Sequence, residues 1–250
     1  MIDLTGKKAL VTGGSRGVGA AAARLLARAG ADVGISYLNR EDDAARVVEE
    51  IRAEGRSGWA HASDISTESG AADLFSRLDR EFDGLDLFIC NAGIWPARDE
   101  AIADMETSRW RNTLAVNLDS TFYTTREAAL RIRDGGSIVL VSSTAGQRGE
   151  AFHGDYAATK GAQISLVKGM CVELGARDVR VNAVAPGWID TEMSRDALEE
   201  GGEAILRGIP LGRVATAEDV AGPILFLCSS LARHVTGEII NVNGGAVLVG

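Results

Sequence analysis

Apolar residues along this 250-residue chain fall into short runs that alternate with longer segments in which they recur every three or four positions. The runs are Lys8 to Thr12, Asp32 to Tyr37, Gly58 to Ala62, Leu85 to Cys90, Ser137 to Ser143, Val179 to Val184 and Glu238 to Gly245. A short apolar run bounded by glycine or polar residues is the pattern of a strand covered on both faces. The segments between them read as helices. They include an alanine-rich one ending near Ala29, Asp42 to Glu54 with Ala44, Ala45, Val48 and Ile51 on one side, and Ser66 to Phe82. A long stretch carrying Asn117, then Tyr156 to Gly175, then Ala217 to Ser229, continue the series. This alternation predicts an α/β fold, a doubly wound parallel sheet of seven strands with helices on both faces. No linker or fixed-period repeat interrupts it, so residues 1–250 read as one domain.

Polar and small residues collect where the strands end. The first strand runs into Gly13-Gly-Ser15-Arg16-Gly17-Val18-Gly19 and then into a helix. That order is a phosphate-binding arrangement, in which backbone N–H groups and the helix dipole meet a pyrophosphate. Gly13 permits the tight turn, Gly17 a close approach by the ligand, and Gly19 close packing of the helix on the sheet. The fifth strand runs through Ser143 into a polar loop, Gly146 to Asp155, and on to Tyr156-Ala-Ala-Thr-Lys160 at the start of a helix. Four apart, Tyr156 and Lys160 share a helix face. A free tyrosine, with a pKa of about 10, is a poor base at neutral pH, and a neighbouring cation favours its phenolate. Lys160 is therefore expected to lower the Tyr156 pKa, and the Ser143 hydroxyl to hold a carbonyl oxygen against the phenol. A Tyr and a Lys at this spacing could by themselves be a surface pair; the glycine turn and Ser143 argue for chemistry.

Ser143, Tyr156 and Lys160, with a Gly-x-x-x-Gly-x-Gly turn near the N-terminus, resemble the short-chain dehydrogenase/reductase family, in the family's order and over essentially the whole chain. The resemblance implies a Rossmann-type domain, a nicotinamide cofactor, and hydride transfer between that cofactor and a carbonyl or alcohol carbon, with Tyr156 moving the proton. It gives Lys160 the ribose hydroxyls as well, and makes Asn117 kink its helix and hold a water that links the lysine to a proton relay. It puts Asp64 and Ile65 against the adenine, Asn91, Ala92 and Gly93 on the ribose side, and Pro186, Gly187, Ile189 and Thr191 along the nicotinamide. Read from the residues alone, Asp64 could instead cap a helix, and Asn117 could belong to a core network. The family also implies a homotetramer built on its two long helices and its last strand and helix.

The strand-end position that carries an acid in NAD-preferring members is Tyr37, with Asn39 and Arg40 nearby and Arg16 in the glycine turn. Two guanidiniums without a carboxylate point to NADP(H) as the preferred cofactor, with NAD(H) accepted if Arg16 and Arg40 are only solvated charges, Arg40 then pairing with Glu41 or Asp42. Trp95 and Trp188 follow motifs that end at the crevice, and Phe152 and His153 precede Tyr156; these four are the candidate substrate pocket, although aromatics also gather at interfaces. Residues 188–213, rich in glycine and polar side chains, read as a substrate lid. Among the family's members the chain resembles 3-oxoacyl-[acyl-carrier-protein] reductases most, with sugar, aryl-ketone and general carbonyl dehydrogenases as the alternative. Arg177 falls where those reductases present a docking arginine for the acyl carrier protein, but it could equally complement a helix dipole, and Arg131 and Arg133 match the second basic position loosely. A non-catalytic dinucleotide sensor on the same fold is the alternative outside the enzymes.

Composition narrows this picture. A formal charge of −9 is unfavourable for a nucleic-acid partner and for an acidic carrier. No apolar run could span a bilayer and no signal-type segment opens the chain, so a cytoplasmic location is expected. Cys90, Cys171 and Cys228 are odd in number and set among apolar residues, as reduced core thiols are, and neither they nor His61, His153 and His234 have metal-ligand spacing.

Overall fold

The computed structural model describes residues 2–249. Its first half runs β1 (Lys8–Val11), α1 (Gly17–Arg28), β2 (Asp32–Tyr37), α2 (Glu41–Ala53), β3 (Gly58–Ala62), α3 (Glu68–Glu81) and β4 (Leu85–Cys90). Helices α4 (Thr107–Leu114) and α5 (Ser120–Arg131) follow, joined by a π-helical turn over Ala115–Asp119. The second half is β5 (Ile132–Val141), α6 (Thr144–Arg148), α7 (Gly154–Leu174), β6 (Arg180–Pro186), α8 (Arg195–Arg207), α9 (Ala217–Cys228) and β7 (Ile239–Val242). The seven strands form one sheet in the order β3-β2-β1-β4-β5-β6-β7, and every neighbouring pair is parallel. This is the Rossmann-like α/β arrangement expected from the alternation of runs.

Strands β4 and β6 are buried at every position, which is why their sequences show no alternation. The sheet separates two apolar layers. One gathers the alanine face of α1 with α2 and α9 around Val11, Val33 and Ile224; the other sets Leu74, Phe75 and Leu78 of α3 and Val167 of α7 against Leu10, Phe88 and Ile138. Helix α2 buries Ala44, Val47, Val48 and Ile51, while Ala45 faces solvent: Val47, omitted by the sequence reading, completes the stripe. The strand order reverses direction between β1 and β4, and in such sheets ligands bind in the crevice beyond the carboxyl ends of those strands.

Differences from the sequence expectation lie at element ends. Helix α3 starts at Glu68 with Thr67 as its N-cap, accepting from Gly70 N, so Asp64 does not cap it. Asp64 instead accepts from Ser66 N at 3.1 Å and closes a local turn. The stretch read as loop after β5 contains the one-turn helix α6, capped by the Ser143 hydroxyl, which accepts from Ala145 N. Too short to show periodicity, α6 had no signal in the sequence. Cys90 and Cys228 are buried free thiols, and Cys171 is half-exposed.

Candidate active site

A cavity of about 1210 Å³ opens along the carboxyl ends of β1, β4, β5 and β6. Gly13, Ser15, Arg16, Gly17 and Val18 line one end of it, with Tyr37, Asn39, Arg40, Asp64 and Ile65 beyond the end of β2. Asn91, Ala92 and Gly93, then Pro186, Gly187, Ile189 and Thr191, line its middle. Ser143, Tyr156, Lys160, Trp95 and Trp188 line the remainder. The glycine turn is closed upon itself: a Cβ on Gly19 would lie 2.3 Å from Gly13 O and 2.5 Å from Asn91 Nδ2, so only glycine fits, although Gly19 itself does not face the cavity. Gly17 has φ +53°, and a Cβ there would reach toward Thr191 Cγ2 at 3.6 Å, filling the cradle between the turn and the 191 loop. These features fit a dinucleotide: a backbone cradle at a helix N-terminus, an open floor, and a volume above that of most drug-sized pockets.

Asn91 holds the two sides of the cradle together. Its Nδ2 donates to Thr12 O and Gly13 O at 3.0 and 3.1 Å, and the Thr12 hydroxyl accepts from the Asn91 and Ala92 amides. Asn117, fully buried in the π-helical turn, does not face the cavity. Its amide bonds both ways to Ile94, accepting from N at 2.8 Å and donating to O at 2.9 Å. Lys160 is buried as well, donating from Nζ to Val141 O at 2.8 Å and Gln163 Oε1 at 3.4 Å, with the Tyr156 ring centroid 5.6 Å away.

The charge balance of this pair differs from the sequence expectation. Burial pushes the Tyr156 phenol up to about 12; the Ser143 hydroxyl pulls it down and the Glu150 carboxylate pushes it further up. Burial pushes Lys160 down to about 8, opposed by Cys90. In the protein alone, burial is the largest influence on both groups and moves each away from its charged form.

Of the four pocket candidates, two line the cavity. Trp95 and Trp188 meet edge to face at 6.0 Å. Phe152 points away, half-exposed at φ +64°, and is removed from the pocket. His153 is buried behind Trp95, stacked at 4.5 Å with Nε2 2.8 Å from Pro96 O, and supports the wall without lining it. Arg16 and Arg40 converge on the carboxylate of Glu192, Arg40 Nη2 at 3.1 Å. Arg40 also lies 3.9 Å from Asp43, and neither Glu41 nor Asp42 is its partner.

Four further side chains shape the site without having stood out in the sequence. Glu150 lines the cavity and accepts from Trp95 Nε1 at 3.1 Å. Asp155, fully buried beside Tyr156, binds Arg109 Nε at 3.1 Å and the Thr113 hydroxyl at 2.8 Å. Arg109 in turn holds Glu100 Oε2 at 3.1 Å and Phe152 O at 3.2 Å, pinning both flanking loops to the start of α7. An acid in the first turn of a helix reads as a dipole partner, and only a contact across 46 positions shows its other use. Glu192 meets Arg16 across 176 positions, which no local pattern encodes. Among the described residues no cluster of three or more His, Cys, Asp or Glu is placed to hold a metal, and no helix is long and apolar enough to cross a membrane.

A family model described as enoyl-(acyl carrier protein) reductase matches residues 13–247. The chain is 40% identical over 248 residues, 98% of each sequence, to a 3-oxoacyl-[acyl-carrier-protein] reductase of Aquifex aeolicus. It is 38% identical over 247 residues to the L-rhamnose 1-dehydrogenase (NAD(P)(+)) of a Sphingomonas species, covering 97% of this chain and 96% of the other. A Burkholderia cenocepacia short-chain dehydrogenase solved in complex with NADP superposes with a TM-score of 0.91 at 35% identity, over 97% of this chain and 98% of that one. Since sheet order, cleft and full-length similarity agree, the chain belongs to the short-chain dehydrogenase/reductase family and is a nicotinamide-dependent oxidoreductase of CH–OH and C=O groups.

Proposed function

We propose that the protein interconverts a carbonyl compound and its secondary alcohol with NADP(H), and that Asn117, Ser143, Tyr156 and Lys160 carry the proton chemistry. The observation that carries this reading is the buried Lys160 ammonium beside Tyr156 on the floor of the cavity that begins at the glycine turn. Gly13 to Gly19, Asp64, Ile65, Asn91 to Gly93 and Pro186 to Thr191 would hold the cofactor, which when bound supplies or accepts the hydride. Tyr156 protonates the carbonyl oxygen in reduction and takes that proton back in oxidation. Ser143 orients the oxygen, and Lys160 holds the ribose hydroxyls while it offsets the charge of the phenolate. Tyr156→Phe should lower kcat by about 10² to 10⁴ with cofactor affinity retained in a fluorescence titration. Near wild-type turnover would sink the assignment; cofactor binding by the wild type, with no turnover across a panel of carbonyls and alcohols, would favour a sensor.

For the cofactor, Tyr37 in place of an acid and the convergence of Arg16 and Arg40 on one carboxylate support NADP(H). A 2′-phosphate in place of that carboxylate would make charge-assisted bonds of about 1.5–3 kcal/mol. A wild type at least as efficient with NADH as with NADPH would refute the preference.

The substrate class proposed first is a 3-oxoacyl thioester or a ketone of similar shape, by analogy with the Aquifex reductase. An acyl carrier protein as partner gains less support: Arg177 is occupied by Asp134 at 2.9 Å and by Ala129 O at 3.0 Å at the end of α5, and Arg131 and Arg133 are each paired with carboxylates. A second reading, a sugar or aryl carbonyl, is favoured by the Glu150 acceptor beside Trp95, which meets Trp188 edge to face, a wall suited to hydroxyl donors and flat faces. Acetoacetyl thioesters, aldoses and aryl ketones compared in one panel separate the two, and Trp188→Ala should reorder their ranking. Helix α8 buries no residue and turns Ala204 and Ile205 toward the cavity, which supports residues 188–213 as the lid. Exposed Phe122, Leu130 and Val172 on α5 and α7 support a homotetramer, which sedimentation at micromolar concentration checks.

A further inference from the structure

Asn117 and Lys160 lie on different elements and do not bond to each other. The side chain that joins them is Gln163, one turn beyond Lys160 on α7 and fully buried. Its Nε2 donates to Asn117 O at 3.1 Å and to Thr121 Oγ1 at 2.8 Å, while its Oε1 accepts from Lys160 Nζ at 3.4 Å. Chemistry fixes which end of the amide is which: an ammonium has only donors, so it must meet the oxygen, and the carbonyl of Asn117 must meet the NH₂. The contact is made in the π-helical turn, a backbone irregularity that frequently marks functional sites. Thr121 Oγ1 reaches the same carbonyl at 2.7 Å, and Cys90 Sγ lies 3.6 Å from Thr121, so the amide belongs to a closed network.

We propose that Gln163 is a positioning residue that couples Asn117 to Lys160 directly, through a fixed side-chain amide, where the family resemblance gives Asn117 a water for that purpose. The proposal rests on the catalytic reading of Tyr156 and Lys160. With Val141 O and Gln163 Oε1 accepting two of its three N–H bonds, the ammonium keeps one donor for the crevice, where a Cβ on Gly93 would stand 3.6 Å from Nζ. Gln163 thereby sets both the aim and the charge state of Lys160. The other titratable groups that face this lysine are Tyr156 on the same helix and Cys90 at the end of β4. A purely structural glutamine would stabilise the fold and leave the titration of Lys160 alone.

The test is made on the full chain, comparing wild type with Gln163→Leu and Gln163→Glu. Four lysines, at positions 7, 8, 160 and 168, make side-chain ¹³C NMR of Lys160 tractable, with Lys160→Met providing its assignment. Leucine removes an acceptor that favours the charged amine, so Lys160 should titrate about one unit lower, and the pH profile of kcat for alcohol oxidation should move to higher pH while KM changes little. Glutamate keeps the acceptor, and Lys160 should titrate at or above the wild-type value. Equal titration and equal kcat profiles in wild type and leucine variant would overturn the proposal. Should Gln163→Leu not fold, Gln163→Met is read in the same way, and a Lys160 titration in Gln163→Glu below wild type would also count against it. Tyr156→Phe is the control: if it stays active the catalytic reading fails, whereas the NMR titration still decides the link between Gln163 and Lys160.

Discussion

The two ends of the crevice are built by opposite means. At the chemical end, Asn117, Lys160, Gln163 and Asp155 are all buried, and each polar group is held by a partner from another element. At the dinucleotide end, Arg16 and Arg40 stand about half exposed and share one exposed carboxylate, Glu192. Buried charge is costly to leave unpaired and rigid once paired, whereas exposed pairs are screened and exchange partners readily. On the proposed assignment, chemistry would be set by a preformed network, and choice of cofactor adjusted by surface charges that move without disturbing the core.

The contrast is broken most severely at Asp155. Burial alone would push its carboxyl up, but bonds from Arg109, Thr113 and the Tyr156 amide hold it below its ordinary value. Asp155→Ala leaves Arg109 without that partner and should cost about 3–5 kcal/mol, read as a lower midpoint in urea, with turnover lost where the fold survives. Next comes Lys160. Its folded pKa of about 8 lies below the unfolded value, so the unfolded chain binds more protons between them. Stability without cofactor should therefore rise as pH goes from about 8 to about 10.4, by on the order of 3 kcal/mol at most. Lys160→Met should abolish that rise; if wild type and variant keep a constant difference over this window, the buried ammonium is not the cause.

At the exposed end the effects shrink. Arg16→Ala combined with Arg40→Ala should raise the Michaelis constant for NADPH roughly ten- to a hundredfold and leave that for NADH nearly unchanged. Smaller still is Glu192→Gln, which removes an exposed competitor worth about 0.2–1 kcal/mol. NADPH affinity should improve no more than about fivefold, without loss of thermal stability. A large loss of stability from either substitution would mean that the dinucleotide end is as tightly built as the chemical one.

The chain by itself determined the alternation of seven strands with helices, because a strand buried on both faces must be apolar throughout and a helix packed on one side must repeat every three or four residues. It also placed Gly13 to Gly19 and the Tyr156, Lys160 pair, since a tight turn and one helix face are local properties. Tertiary structure decided what no local pattern encodes. Phe152 left the pocket and His153 went behind Trp95 in a loop that takes a positive φ at Gly149 and again at Phe152 itself. Arg16 and Arg40 met Glu192, and Asn117 met Gln163, only because the sheet brings distant segments to the same edge. The pKa values of Tyr156 and Lys160 were the least legible of all: adjacency on a helix is written in sequence, but desolvation depends on everything packed around the pair, and here it is the largest influence on each.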